Sequence, residues 1–255
     1  MDLGEKLKTL ATAARYDASC ASSGSERSHT PGRVGSTVPS GICHSFTEDG
    51  RCVSLLKVLF TNVCIYDCSY CVNRSSNDIP RAAFTAQELI DLTLSFYRRN
   101  YIEGLFLSSG ILRSPDYTME RLVQVAKALR TVHGYNGYIH LKCIPGANDA
   151  LVREAGLYAD RLSVNIELPS EPSLKQLASD KSYPAILGPM QQIRDSILQS
   201  QDERKVIRSA PVFAPAGQST QLIVGASPER DYEILRLARD LYRSRDLRQI
   251  GRAHV

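Results

Sequence analysis

Three thiols spaced as Cys64-x3-Cys68-x2-Cys71 are the residues of this chain that most directly imply chemistry. They follow the apolar run Leu55-Leu56-Lys57-Val58-Leu59-Phe60, so a strand can deliver them to one face of a tight loop. A closed structural zinc site takes four ligands, whereas three thiolates suit an iron–sulfur cluster with one iron left open. An open iron can hold and reduce a ligand. The bland alternative is three ordinary buried cysteines, or a zinc knuckle lacking its fourth ligand. Cys20, Cys43 and Cys52, with His44 or Cys143, form a candidate second metal site, but small buried thiols are the favoured reading there.

The chain of 255 residues is 43% hydrophobic and 23% charged, as in a globular protein. It contains no apolar run long enough to span a bilayer. Its start, Met1-Asp2-Leu3-Gly4-Glu5-Lys6, lacks the basic and apolar regions of a secretory signal. Seven cysteines without such a signal point to a reducing compartment, and a cytoplasmic location is expected. A net charge of +4 is compatible with nucleic acid without demanding it. Arg236, Arg239, Arg243, Arg245, Arg248 and Arg252 read as a solvated helix face.

The elements that must position the thiols alternate. Residues 3–15 suit a helix, and residues 17–50 carry loop chemistry expected to cover the cluster mouth. Strand one ends at the cysteine loop, and Thr85-Ala86-Gln87-Glu88 reads as a capping box opening a helix to about Asn100. Strands are expected at Glu103–Leu107, Tyr138–Cys143, Arg161–Leu168 and Thr220–Val224. Helices are expected at Tyr117–Val132, from Asn148 to Ala155, over 173–200, and from Ser227 with Pro228 first. This order predicts an α/β fold, a partial (β/α) barrel of parallel strands with right-handed crossovers. The pleat puts His140 and Lys142 on one side, and likewise Ser163, Asn165 and Glu167, giving a polar barrel interior. His140 and Lys142 are candidates for binding an anionic substrate or shuttling protons, the alternative for Lys142 being an ion pair with Glu167. No sixth strand is expected. Residues 1–52 form a leader, 53–245 the core, and 246–255 a frayed or non-native tail, since Ile250–Val255 resembles a translated sequencing-adapter read-through.

With Tyr70 just before the last cysteine, the thiol spacing resembles the signature of the radical S-adenosylmethionine (SAM) superfamily. That resemblance implies a [4Fe–4S] cluster on Cys64, Cys68 and Cys71, and reductive cleavage of SAM to a 5′-deoxyadenosyl radical. It also implies SAM contacts. Ser108-Ser109-Gly110 stands where the superfamily has Gly-Gly-Glu, without the acidic member. Asn165 or Glu167 would hold the ribose. Leu222-Ile223-Val224-Gly225, with Glu229, resembles the adenine motif, so Ile223 and Gly225 are assigned to it, and Tyr70 would lie near adenine.

More narrowly, the chain resembles the DNA modification/repair radical SAM proteins associated with a uracil-DNA-glycosylase-like partner. The resemblance runs through Tyr16–Cys20, Gly41–Ser45, Cys64–Arg74, Tyr97–Gly110, Ser114–Glu120, Gly137–Gly146, Asp160–Ser170 and Pro215–Gly225. It implies SAM, an electron donor such as flavodoxin or ferredoxin, DNA and that glycosylase-like protein as partners, and no membrane. With no sixth strand and an adapter-like tail, a C-terminally truncated chain is expected; members of that family tend to carry a C-terminal helix-hairpin-helix that is not seen in this sequence, so the DNA role rests on association. The alternative function is a non-catalytic iron–sulfur protein that senses redox state or binds a partner.

Overall fold

The computed structural model describes residues 1–14, 42–46 and 52–254, with 42–46, 52, 53 and 252–254 described by backbone alone. The expected cover of the cluster mouth, and the second metal site at Cys20, Cys43, Cys52 and His44, therefore lie outside the described side chains.

Helix α1 (Leu3–Ala14) packs Leu10, Ala11 and Ala14 into the core, and Lys6 ties it to Glu88 at 2.8 Å. Strand β1 (Ile42–Phe46) runs antiparallel to β2 (Cys52–Leu59), a hairpin within a stretch whose composition suggested loop. The backbone ladder to β2 makes this strand, which the local side-chain pattern does not signal.

Strictly alternating units follow. Helix α2 (Ala86–Arg98) opens with the expected capping box between Thr85 and Glu88, and leads to β3 (Gly104–Ser108). Ser114 caps α3 (Pro115–Thr131), whose stripe Leu122, Val125, Ala126 and Leu129 is fully buried. Then come β4 (Tyr138–Lys142), α4 (Asp149–Tyr158) capped by Asn148, and β5 (Arg161–Ser163). Helices α5 (Glu171–Leu177) and α6 (Tyr183–Val206) precede β6 (Gln218–Val224), α7 (Asp231–Arg245) and β7 (Leu247–His254).

Strands β2 to β7 lie side by side in chain order and pair in parallel, so each β–α unit adds the next stave of an unclosed barrel. No described helix is long and apolar enough to cross a membrane.

Three expectations are corrected. The sixth strand is present: residues 247–254, expected to fray, pair with β6 from Leu247 to His254. Asp246, in the left-handed region at φ 50°, ends α7 and turns the chain back, and Leu247 is buried. An unpaired strand edge accepts extended backbone whatever its composition, which explains why an Arg- and Gly-containing tail becomes a strand. Strand β5 is shorter than the predicted Arg161–Leu168. Beyond Ser163 the Thr220 hydroxyl takes the place of the ladder, accepting from Ile166 N and donating to Val164 O, and the two chains meet again at a bridge between Glu167 and Leu222. Helix α7 begins at Asp231 rather than after Ser227, because the Ser227 hydroxyl binds the Glu229 carboxylate instead of capping a helix.

Candidate cluster and SAM site

The cysteine loop leaves β2 under close backbone control. Phe60 N donates to Ser108 O, Gly110 N to Thr61 O at 2.7 Å, and Ile65 N to Ile111 O at 2.9 Å, so the end of β3 is sewn to the start of the loop. A Cβ at Gly110 would lie 2.5 Å from Val63 O, so only glycine allows this approach. Within the loop Cys71 N donates to Cys68 O, and Ser75 N to Tyr66 O. The Asp67 carboxylate accepts from Ser75 Oγ and Ser76 N. From the opposite side the turn between α5 and α6 reaches over: Ser69 N donates to Leu177 O at 2.7 Å and Asp67 N to Asp180 Oδ2 at 3.1 Å.

Cys64, Cys68 and Cys71 are free thiols, and all three line one cavity of about 380 Å³. The same cavity is lined by Tyr70, Ser108, Ser109, Gly110, Lys142, Asn165, Glu167 and Ile223, so the ends of successive strands converge on the thiols. Two expected residues are not brought there. Gly225 lies beyond the wall at φ 91°, where it ends β6. His140 is buried one row deeper, its Nε2 2.9 Å from Ser163 Oγ and its ring edge-on to Phe106 at 4.5 Å. Phe106 stands level with His140 in the ladder, and Leu55 and Tyr138 pack one row further from the cysteine loop.

Sequence reasoning missed Lys181. In Ser179-Asp180-Lys181-Ser182 it reads as an ordinary surface turn, yet its side chain is 12% exposed and its Nζ lies 2.7 Å from Glu167 Oε1. Glu167 pairs with this lysine, which also lies 3.4 Å from the Tyr70 hydroxyl. Burial opposes the Lys181 charge, but the adjacent Glu167 outweighs it and holds the ammonium well above its usual range. Tyr66 was also missed, although it lines the cavity.

Burial pushes the Cys68 thiol up to about 11, with Lys181 pulling the other way. It raises Cys71 too, opposed first by the Asn73 N–H and then by Lys181. Cys143, driven to about 12 by burial alone, is a core thiol. Backbone donors aim at two of the loop sulfurs, Ile111 N at Cys64 Sγ (3.4 Å) and Asn73 N at Cys71. Such N–H contacts stabilise ligating thiolates.

Three free thiols on one cavity are a donor set of the kind an iron–sulfur cluster takes. Among the described residues no three His, Cys, Asp or Glu side chains converge closely enough to hold one ion. Cysteines that ligate three different irons stand further apart than ligands of one ion, and here they share a cavity with sulfur-directed amides.

No family model matches the chain, and no curated protein does. Solved structures do. HydG, a maturase of the [FeFe]-hydrogenase, superposes over 77% of this chain and 41% of its own with a TM-score of 0.56 and 15% identity. HydG from Carboxydothermus hydrogenoformans gives 0.58 and 13% over 77% of this chain and 43% of its own. Methylornithine synthase (PylB) gives 0.56 and 16% over 77% and 51%. The chain thus spans about half the length of these structures or less, and shares their fold over an α/β partial barrel.

Proposed function

We propose that this chain is a radical SAM enzyme that reductively cleaves SAM at a [4Fe–4S] cluster held by Cys64, Cys68 and Cys71. The observation that carries this reading is the convergence of three free thiols with the polar ends of successive parallel strands on one cavity. When bound, the cluster supplies one electron to the SAM sulfonium, yielding methionine and a 5′-deoxyadenosyl radical that abstracts hydrogen from a substrate.

The chain's own residues bind and orient. Ser108, Ser109 and Gly110 end β3 beside the thiols and offer hydroxyl and carbonyl oxygens to the methionine ammonium, in the absence of an acidic residue there. Asn165 and Glu167, on one cavity wall, hold the ribose hydroxyls. Ile223 and the Tyr70 ring flank the adenine. Leu59, Ile111, Cys143 and Ile144 supply apolar wall that keeps water from a reactive radical. Lys142, on the same cavity surface, is the residue placed to meet an anionic group of the substrate. The substrate class we propose is a nucleic-acid base in DNA modification or repair, supported by the family resemblance of residues 1–245.

The test is 5′-deoxyadenosine formation from SAM and dithionite by protein reconstituted with iron and sulfide. Wild type is expected to exceed Cys68→Ala by at least about a hundredfold, since loss of one ligand removes the reducible site; equal yields would refute the enzyme. Added DNA is expected to raise the yield, and no response to DNA or RNA counts against the repair role.

A further inference from the structure

Binding SAM does not by itself require a buried lysine, yet the cavity holds one. Lys181 and Glu167 are 12% and 9% exposed and lie 2.7 Å apart. Both line the cavity that Cys68 and Cys71 line, and they carry opposite charge. Neither is free to swing away. Lys181 sits in a turn closed by its own N–H to Ala178 O at 2.9 Å, and that turn is bonded to the cysteine loop at Ser69 and Asp67. Its ammonium stands 5.8 Å from the Tyr70 ring centroid. Glu167 is held at φ 66°, a conformation few non-glycine residues adopt, by Ile223 N on its carbonyl at 2.7 Å and by its own N–H on Gln221 O. Fixed charges in a water-poor cavity act far more strongly than solvated ones.

A group that gains an electron is favoured by a fixed cation and disfavoured by a fixed anion. We infer that the Lys181–Glu167 pair sets the reduction potential of a cluster bound at Cys64, Cys68 and Cys71, the lysine raising it and the carboxylate lowering it. The inference rests on the cluster reading above. The pair thereby decides how readily a one-electron donor of the flavodoxin or ferredoxin class can charge the site.

The experiment is a dithionite redox titration of the full chain, reconstituted with iron and sulfide and followed by EPR without SAM. Lys181→Met is expected to lower the midpoint, so that the reduced-to-oxidised ratio at the wild-type midpoint falls about tenfold, or ~59 mV for one electron. Glu167→Gln is expected to shift it the other way. Lys181→Arg, which keeps the charge, is expected to hold the wild-type midpoint and so separates field from packing. A purely structural role would move Lys181→Met and Glu167→Gln in the same direction or not at all, and either result overturns the inference. If one variant fails to fold, the sign of the other still decides. A wild type that assembles iron but shows no reducible signal overturns the cluster reading itself, an outcome distinct from a cluster with unshifted variants.

Discussion

Arg81 commits its guanidinium to four backbone carbonyls. Nη1 donates to Asn62 O at 2.6 Å and Asn73 O at 2.8 Å, and Nη2 to Arg74 O at 2.6 Å and Asn77 O at 2.8 Å. These carbonyls flank the cysteine loop on both sides, so one planar fork closes it, which a lysine point charge cannot reproduce. Arg81→Lys is expected to cost about 2 kcal/mol in urea unfolding and to reduce iron bound after reconstitution. Retention of wild-type iron would refute the staple. Glu229 makes a pH prediction. Burial raises its pKa, but hydroxyl donors from Ser170, Ser173 and Ser227 win and bring it down to about 2. A carboxyl depressed on folding stabilises above its unfolded pKa, and that stability is lost as pH falls from about 4.5 towards 2. After discounting for solvent, the effect is roughly 1–2 kcal/mol. Glu229→Gln is expected to flatten the acid limb of stability against pH over that window while leaving its shape at neutral pH unchanged; an unaltered acid limb would refute it.

Among elements, the end of β3 does two jobs: it lines the cavity and braces the loop emerging from β2. Gly110 is where they meet. Gly110→Ala sets a methyl 2.5 Å from the Val63 carbonyl, a backbone atom that can yield only by moving the loop one residue before Cys64. A loss of about 1–3 kcal/mol is expected, with weaker cluster absorbance per folded molecule. Gly156→Ala is the control. Its methyl would meet the Phe213 ring at 2.1 Å on the outer face of the barrel wall, so stability should fall while cluster content per folded molecule stays at wild-type level. Equal cluster loss in both variants would mean that global destabilisation, not loop displacement, is responsible.

At the scale of the whole molecule, six parallel strands in chain order among the described residues leave the sheet unpaired between β2 and β7, with β1 extending the β2 side. Strand β7 covers the β6 edge. A chain ending at Arg245 is expected to expose that edge, to unfold at lower denaturant and to associate in size-exclusion chromatography. An unchanged elution volume and unfolding midpoint would refute a structural role for the tail. The alternation of strands and helices, the capping box at Thr85, the apolar stripe of α3 and the thiol spacing were all legible in the sequence. Each depends on residues within a few positions of one another, where propensity and periodicity act. The hairpin at β1, the strand made by the tail, the early end of β5 and the burial of Lys181 were not. In each of these a distant segment decides: a partner edge makes the strand, the Thr220 hydroxyl replaces the ladder, and Glu167 draws in a lysine from a turn that reads as surface. The sequence by itself determined the spacing of the three thiols and the order of the strand and helix units. Only the tertiary structure decided that Lys142 reaches the cavity while His140 does not, because Phe106 of β3 and Ser163 of β5, on the two flanking strands, enclose the His140 ring one row further from the loop.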